Sequence, residues 1–161
     1  RLVRAAALDR AQVVVELGAG TGGTTRAMLA AMRRDARLIA IERTAEFVGP
    51  LERIGDPRLT VVNGCASTIV RQLESLGLDH ADAVVSGIPF STMPPELAAG
   101  IAREVYQALA PHGRFVAYQF TDKVAEFARP VFGQPKVEHE LRNVPPLKIF
   151  TWQRAAASAA A

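Results

Sequence analysis

The sequence predicts an α/β domain built on a doubly wound, mainly parallel sheet of about seven strands, closed by an antiparallel hairpin. Three observations carry that prediction. Short runs rich in β-branched residues alternate with helix-forming segments, the pattern of strands joined by right-handed helical crossovers. The first run, Val13-Val14-Val15, continues through Glu16 and Leu17 into the turn Gly18-Ala19-Gly20-Thr21-Gly22-Gly23. The last two strand-like runs follow each other without a helix between them, and that demands a hairpin.

Residues 1–12 combine helix formers with three arginines and read as a helix that covers the sheet or faces an anionic surface. After the glycine turn, residues 24–33 form a helix and residues 37–41 a buried strand that ends on Glu42. Residues 45–54 are a short helix stopped by Gly55-Asp56-Pro57, and residues 59–63 a third strand followed by Gly64-Cys65-Ala66. A helix over 68–76 takes Gly77 as its C-cap. A fourth strand over 81–86 breaks at Gly87-Ile88-Pro89-Phe90. The longest helix, 94–110, opens on Pro94-Pro95-Glu96 and ends at Pro111-His112-Gly113. The fifth strand is then 114–120 and the next helix 124–132. The hairpin pairs 136–142 with 147–153 around Asn143-Val144-Pro145-Pro146.

The chain has 161 residues, enough for one domain with a substantial core, assigned to 1–154 with a frayed low-complexity tail over 155–161. Hydrophobic residues make up 49%, which excludes a disordered chain. No apolar run reaches the roughly 18–20 residues that a membrane-spanning helix needs. One cysteine excludes an internal disulfide, and three scattered histidines give no metal-ligand spacing, so no metal is expected. The default is a cytoplasmic monomer. A net charge of +3 is a mild basic bias that suits phospholipid or RNA without choosing between them.

A glycine-rich turn between a strand and a helix N-terminus gathers backbone amides and a helix dipole, which suits a nucleotide-like ligand. The spacing alone leaves two ligands open. Gly18, Gly20 and Gly23 satisfy the dinucleotide pattern G-x-G-x-x-G, with Glu42 placed for a ribose hydroxyl. Glu16, Gly18, Gly20 and Gly22 equally satisfy the acidic-x-G-x-G-x-G pattern of S-adenosylmethionine (SAM) methyltransferases.

The runs VVELGAGTGGTTRAML, LIAIE, NGCA, SGIPF and NVPPLKIFTW together resemble the class I SAM-dependent methyltransferases, from about Val3 to Arg154. Within that class the chain looks most like the bacterial phospholipid N-methyltransferases, which act on phosphatidylethanolamine. It is also similar to the rRNA adenine dimethyltransferases. The resemblance implies a Rossmann-like fold and SAM as cofactor. It implies that the amides of Gly18, Ala19, Gly20, Thr21 and Gly22 pass under the methionine and ribose parts, with Glu16 toward the methionine ammonium. Glu42 would accept from the ribose hydroxyls and Arg43 would pack on the adenine. Gly64, Cys65 and Ala66 would border the adenine, with Ser86 at the cofactor's inner edge. Cys65 departs from the family, which usually places an aspartate there; Asn63, a backbone group, stacking or the Ala66 amide would have to substitute.

For the acceptor, the resemblance points to Ser86, Gly87, Pro89 and Phe90 at the end of the fourth strand, with Tyr118 on the fifth. The rRNA enzymes carry asparagine where this chain has Gly87, which argues against an adenine substrate. Backbone carbonyls of Ser86 and Gly87 and the rings of Phe90 and Tyr118 would stabilise a developing ammonium. The expected partner is a phospholipid amine at an anionic membrane surface, with peripheral membrane association, and nucleic acid is not expected. Two rivals remain open. One is an rRNA adenine dimethyltransferase-like enzyme, whose family carries a helical RNA-binding domain after the core. The other is a non-catalytic nucleotide-binding module or a dinucleotide-dependent oxidoreductase.

Overall fold

The computed structural model describes residues 1–140 and 147–156. Its seven strands form one sheet in the order β3-β2-β1-β4-β5-β7-β6. They are β1 (Val13–Leu17), β2 (Arg37–Glu42), β3 (Leu59–Asn63), β4 (Ala81–Ser86), β5 (Leu109–Gln119), β6 (Lys136–Glu140) and β7 (Leu147–Gln153). The pairs β3-β2, β2-β1, β1-β4 and β4-β5 are parallel, whereas β7 runs antiparallel to both β5 and β6. The expected fold class is the one observed.

The helices are α1 (Leu2–Ala5), α2 (Gly23–Ala31), α3 (Ala45–Glu52), α4 (Ile69–Ser75), α5 (Pro95–Ala108) and α6 (Lys123–Phe132). Alternation along the strands sorts them onto two faces. Val15, Leu17, Ile39, Ile41 and Phe115 share a core with Ile69 and Leu73 of α4, Ile101 and Val105 of α5, and Val124 and Ala128 of α6. Val14, Leu38, Val85 and Val116 point the other way, onto Met28 and Leu29 of α2 and onto Leu8. Full burial of each large side chain stabilises the fold by about 1.5–3 kcal/mol, so a sheet buried on both sides is held in one register. Phe115, Phe150 and Trp152 stack with centroids 5.1 and 5.9 Å apart, which ties β7 to the sheet.

The structure corrects two element assignments. The N-terminal helix is only four residues long, and residues after it turn back to bury Leu8 and Ala11. The strand expected at 114 starts at Leu109, because Pro111-His112-Gly113 is a bulge inside β5 rather than a turn. Ala81 pairs with Leu109 and Ala83 with Arg114, so a two-residue step on β4 faces a five-residue step on β5. The bulge is held by Arg154, whose amide donates to the Gly113 carbonyl at 2.8 Å and whose carbonyl accepts from the His112 amide at 3.1 Å. Its guanidinium also reaches the Leu109 carbonyl. The expected Asn143-Val144-Pro145-Pro146 connection, the end of the strand assigned to 136–142 and most of the tail lie outside the described residues.

Candidate active site

Three strands end level with one another. Leu17 of β1 lies opposite Ile41 of β2 and Ser86 of β4, so Gly18, Glu42 and Gly87 emerge side by side at the carboxyl edge. Ligands bind there in open parallel sheets. Backbone bonds pin these exits: the Gly18 amide donates to the Ile41 carbonyl, Gly87 to Leu17 and Gly64 to Glu42, at 3.0, 3.0 and 3.1 Å.

The turn from β1 to α2 requires glycine at Gly22. Its φ is 85°, and a Cβ there would stand 3.0 Å from Ile54 and 3.2 Å from Leu51. Left-handed backbone therefore lets the turn lie flat on α3. Glu42 fixes the other side of the turn. Its Oε2 accepts from the Gly20 amide and its Oε1 from the Thr44 amide, both at 2.8 Å. One carboxylate thus joins the glycine turn to the start of α3, and each oxygen keeps a further lone pair for a ligand.

A cavity of about 450 Å³ opens beside this edge. Gly18, Glu42 and Arg43 form one wall, Gly64, Cys65 and Ala66 a second, and Gly87, Ile88 and Pro89 a third, with Met93, Leu97 and Ile101 closing it. The Cys65 thiol sulfur accepts from the Ser67 hydroxyl at 3.1 Å. That bond, with a smaller contribution from Arg43, lowers the thiol's pKa below its ordinary value. A second cavity, about 320 Å³, is lined by Gly87, Pro89, Ser91, Tyr118, Phe120 and Leu147, among others. Gly87 and Pro89 border both.

The structure therefore brings together eight of the expected residues in the first cavity: Gly18, Glu42, Arg43, Gly64, Cys65, Ala66, Gly87 and Pro89. Ala19, Gly20, Thr21 and Gly22 line neither cavity and belong to the turn behind Gly18. Ser86 is fully buried at the end of β4, its hydroxyl accepting from the Ile88 amide at 3.3 Å. Glu16 is also fully buried. Its Oε2 accepts from the Thr25 hydroxyl at 2.6 Å, while its Oε1 has no protein partner. Burial pushes the Glu16 carboxyl up to about 7, opposed by the Thr25 bond and reinforced by the charge of Glu42.

One of the rings expected beside the acceptor lies in the core. Phe90, read as an aromatic wall, is 1% exposed in the core and lines neither cavity. A 3-10 turn over Phe90–Thr92 rotates its ring inward. The ring exposed in the second cavity is instead Phe120, just past the end of β5 and 59% exposed. A large apolar residue after the Tyr118-Gln119 strand end is the signal that marks it.

The fold and the strand-end site define a class I SAM-dependent methyltransferase. The chain superposes on the N-methyltransferase NodS from Bradyrhizobium japonicum WM9 with a TM-score of 0.77 at 11% identity, over 96% of this chain and 92% of that one. That protein has also been solved in complex with S-adenosylhomocysteine. No family model matches the sequence. Among curated proteins, the chain is 38% identical over 143 residues to an ornithine lipid N-methyltransferase of Singulisphaera acidiphila, covering 86% of this chain and 73% of that protein. The chain belongs to the family of that N-methyltransferase. It is also 44% identical over 95 residues to ribosomal RNA small subunit methyltransferase A of Nitrobacter winogradskyi, spanning 31% of that enzyme's length.

Proposed function

We propose that this chain methylates the primary amine of a membrane-lipid headgroup, of the ornithine-lipid or phosphatidylethanolamine type. The observation that carries the reading is that two cavities meet across Gly87 and Pro89. One is bordered by the strand-end groups that suit SAM, and the other is lined by the rings of Tyr118 and Phe120. Similarity to an ornithine lipid N-methyltransferase supports a lipid amine over an RNA base.

The residues present suit SAM. The unpartnered Oε1 of buried Glu16 is an acceptor awaiting a donor, as an ammonium group would supply. Glu42 has lone pairs left for the ribose hydroxyls, and Arg43 and Cys65 flank the place for adenine. When bound, SAM supplies an electrophilic methyl group on a sulfonium. The chain's residues orient the acceptor so that the amine lone pair forms its bond to the methyl carbon as the carbon–sulfur bond breaks. The sulfur takes that bond's electron pair and the nitrogen takes the positive charge. The displaced proton leaves to solvent through the open second cavity. Positioning of the pair provides much of the acceleration. Backbone carbonyls at the end of β4 and the Tyr118 ring face the charge that grows on nitrogen.

The test is incubation with methyl-labelled SAM and three acceptors in parallel: vesicles containing ornithine lipid, vesicles containing phosphatidylethanolamine, and total RNA. Label in either lipid fraction is the expected result. Label in RNA alone overturns the reading.

A further inference from the structure

Gly87 and Tyr118 occupy one another's space. A Cβ at position 87 would stand 2.8 Å from the Tyr118 Cζ and closer still to its hydroxyl oxygen, so no side chain fits there while Tyr118 keeps its place. Tyr118 is fixed from several sides. It is paired across the sheet with Ile149 in the β5–β7 ladder, and its hydroxyl lies 3.4 Å from the Thr24 hydroxyl at the start of α2. Gly87 borders both cavities, whereas Tyr118 borders the second. The absence of a side chain on β4's exit therefore brings a phenol hydroxyl from β5 to the rim where the cavities meet.

Resting on the lipid-amine reading above, we infer that Tyr118 binds and positions the acceptor amine. Its hydroxyl, admitted by the bare backbone of Gly87, receives the substrate nitrogen at the mouth of the cofactor cavity. The hydroxyl has one proton and two lone pairs. The contact with Thr24 Oγ1 can run in either direction; with the phenol as donor, its lone pairs are left for an N–H of the incoming amine. Burial raises the phenol's pKa above its ordinary value, against the Thr24 bond, so it stays neutral and positions the amine rather than deprotonating it. The approach runs past exposed Phe120, Pro89 and Leu147, an apolar path that fits an aliphatic amine carried on a lipid.

The experiment uses Tyr118→Phe, Gly87→Ala, Tyr118→Ala and the Gly87→Ala/Tyr118→Ala double variant, with kinetics on lipid vesicles and a separate measurement of SAM affinity. Tyr118→Phe keeps the ring and removes the hydroxyl. It should raise KM for the lipid amine about threefold to tenfold, the worth of a hydrogen bond between neutral groups, with SAM affinity changed less than about twofold. Gly87→Ala should lower kcat/KM by more than about tenfold with Tyr118 present, yet by less than about threefold in the Tyr118→Ala background, because the overlap is then gone. Wild-type KM in Tyr118→Phe, or equal losses from Gly87→Ala in both backgrounds, overturns the inference while leaving the lipid-amine reading standing. If the wild-type protein labels no lipid, that reading fails first and the amine role of Tyr118 fails with it. Should Gly87→Ala not fold, the Tyr118→Phe arm alone decides, since it introduces no overlap.

Discussion

Glu16 offers the sharpest physical test of the site, because a fully buried carboxyl with one unpartnered oxygen must show itself in the pH dependence of stability. Burial raises its carboxyl in the folded protein to about 7, from an ordinary value of 4.5. Between those two values the folded state holds a proton that the unfolded state has released. Stability from this group is therefore greatest at low pH and is lost as pH rises toward 7. A shift of that size corresponds to about 3 kcal/mol in full, of which about 2.5 kcal/mol falls between pH 5 and pH 8. Glu16→Gln keeps the shape and an acceptor for Thr25 but removes the titration. Urea unfolding of both proteins at pH 5, 6, 7 and 8 isolates the group, since the three histidines cancel in the difference. Wild type should lose stability relative to Glu16→Gln by about 2.5 kcal/mol over that range. A flat difference, or a wild type that gains stability with pH relative to the variant, refutes the burial argument. SAM brings an ammonium to that oxygen in the proposed site, so its affinity should rise with pH up to about 7 and then level off.

Three other outcomes follow from the same geometry. Glu42→Ala removes the acceptor for the Gly20 and Thr44 amides together with the proposed ribose contact, and should weaken SAM binding by about 1–3 kcal/mol in calorimetry with the fold intact by circular dichroism. Cys65→Asp keeps an acceptor for the Ser67 hydroxyl and adds one facing the cavity, so SAM affinity should stay level or rise; a loss above about tenfold in a folded variant counts against adenine at this wall. Vesicle sedimentation should show tighter binding to membranes with phosphatidylglycerol than to zwitterionic ones, weakening with salt; pelleting that ignores both lipid charge and salt speaks against this approach.

Much of the sheet was legible because strands buried on both faces leave runs such as Val13-Val14-Val15 and Leu38-Ile39-Ala40-Ile41 that no surface helix carries. The β5 start was not legible, since Pro111-His112-Gly113 has the composition of a turn. Only Arg154, more than forty residues away, shows why the chain continues as a bulged strand there. The strand-end cavity was legible because its parts are backbone exits and one carboxylate, which leave glycine and Glu42 in fixed positions after their strands. The acceptor half was harder. Phe90 and Phe120 both follow strand ends, and whether such a ring faces core or cavity depends on the local turn, which their sequence neighbourhood does not fix.

That asymmetry has a structural origin. The cofactor cavity is framed by β1, β2 and the exits of β3 and β4, where close backbone approach tolerates few alternatives. The second cavity draws Tyr118, Gln119 and Phe120 from the end of β5 and Leu147 from the antiparallel β7, whose side chains project from a ladder that any residue can join. Acceptor choice can therefore change on the β5–β7 side without disturbing the glycine turn. Gly87 is the exception, because it serves both halves at once. It ends β4 with its amide held by Leu17, and its missing side chain admits the Tyr118 hydroxyl. A side chain there would meet only Tyr118 at close range, so although position 87 borders both cavities, a substitution is felt chiefly through Tyr118.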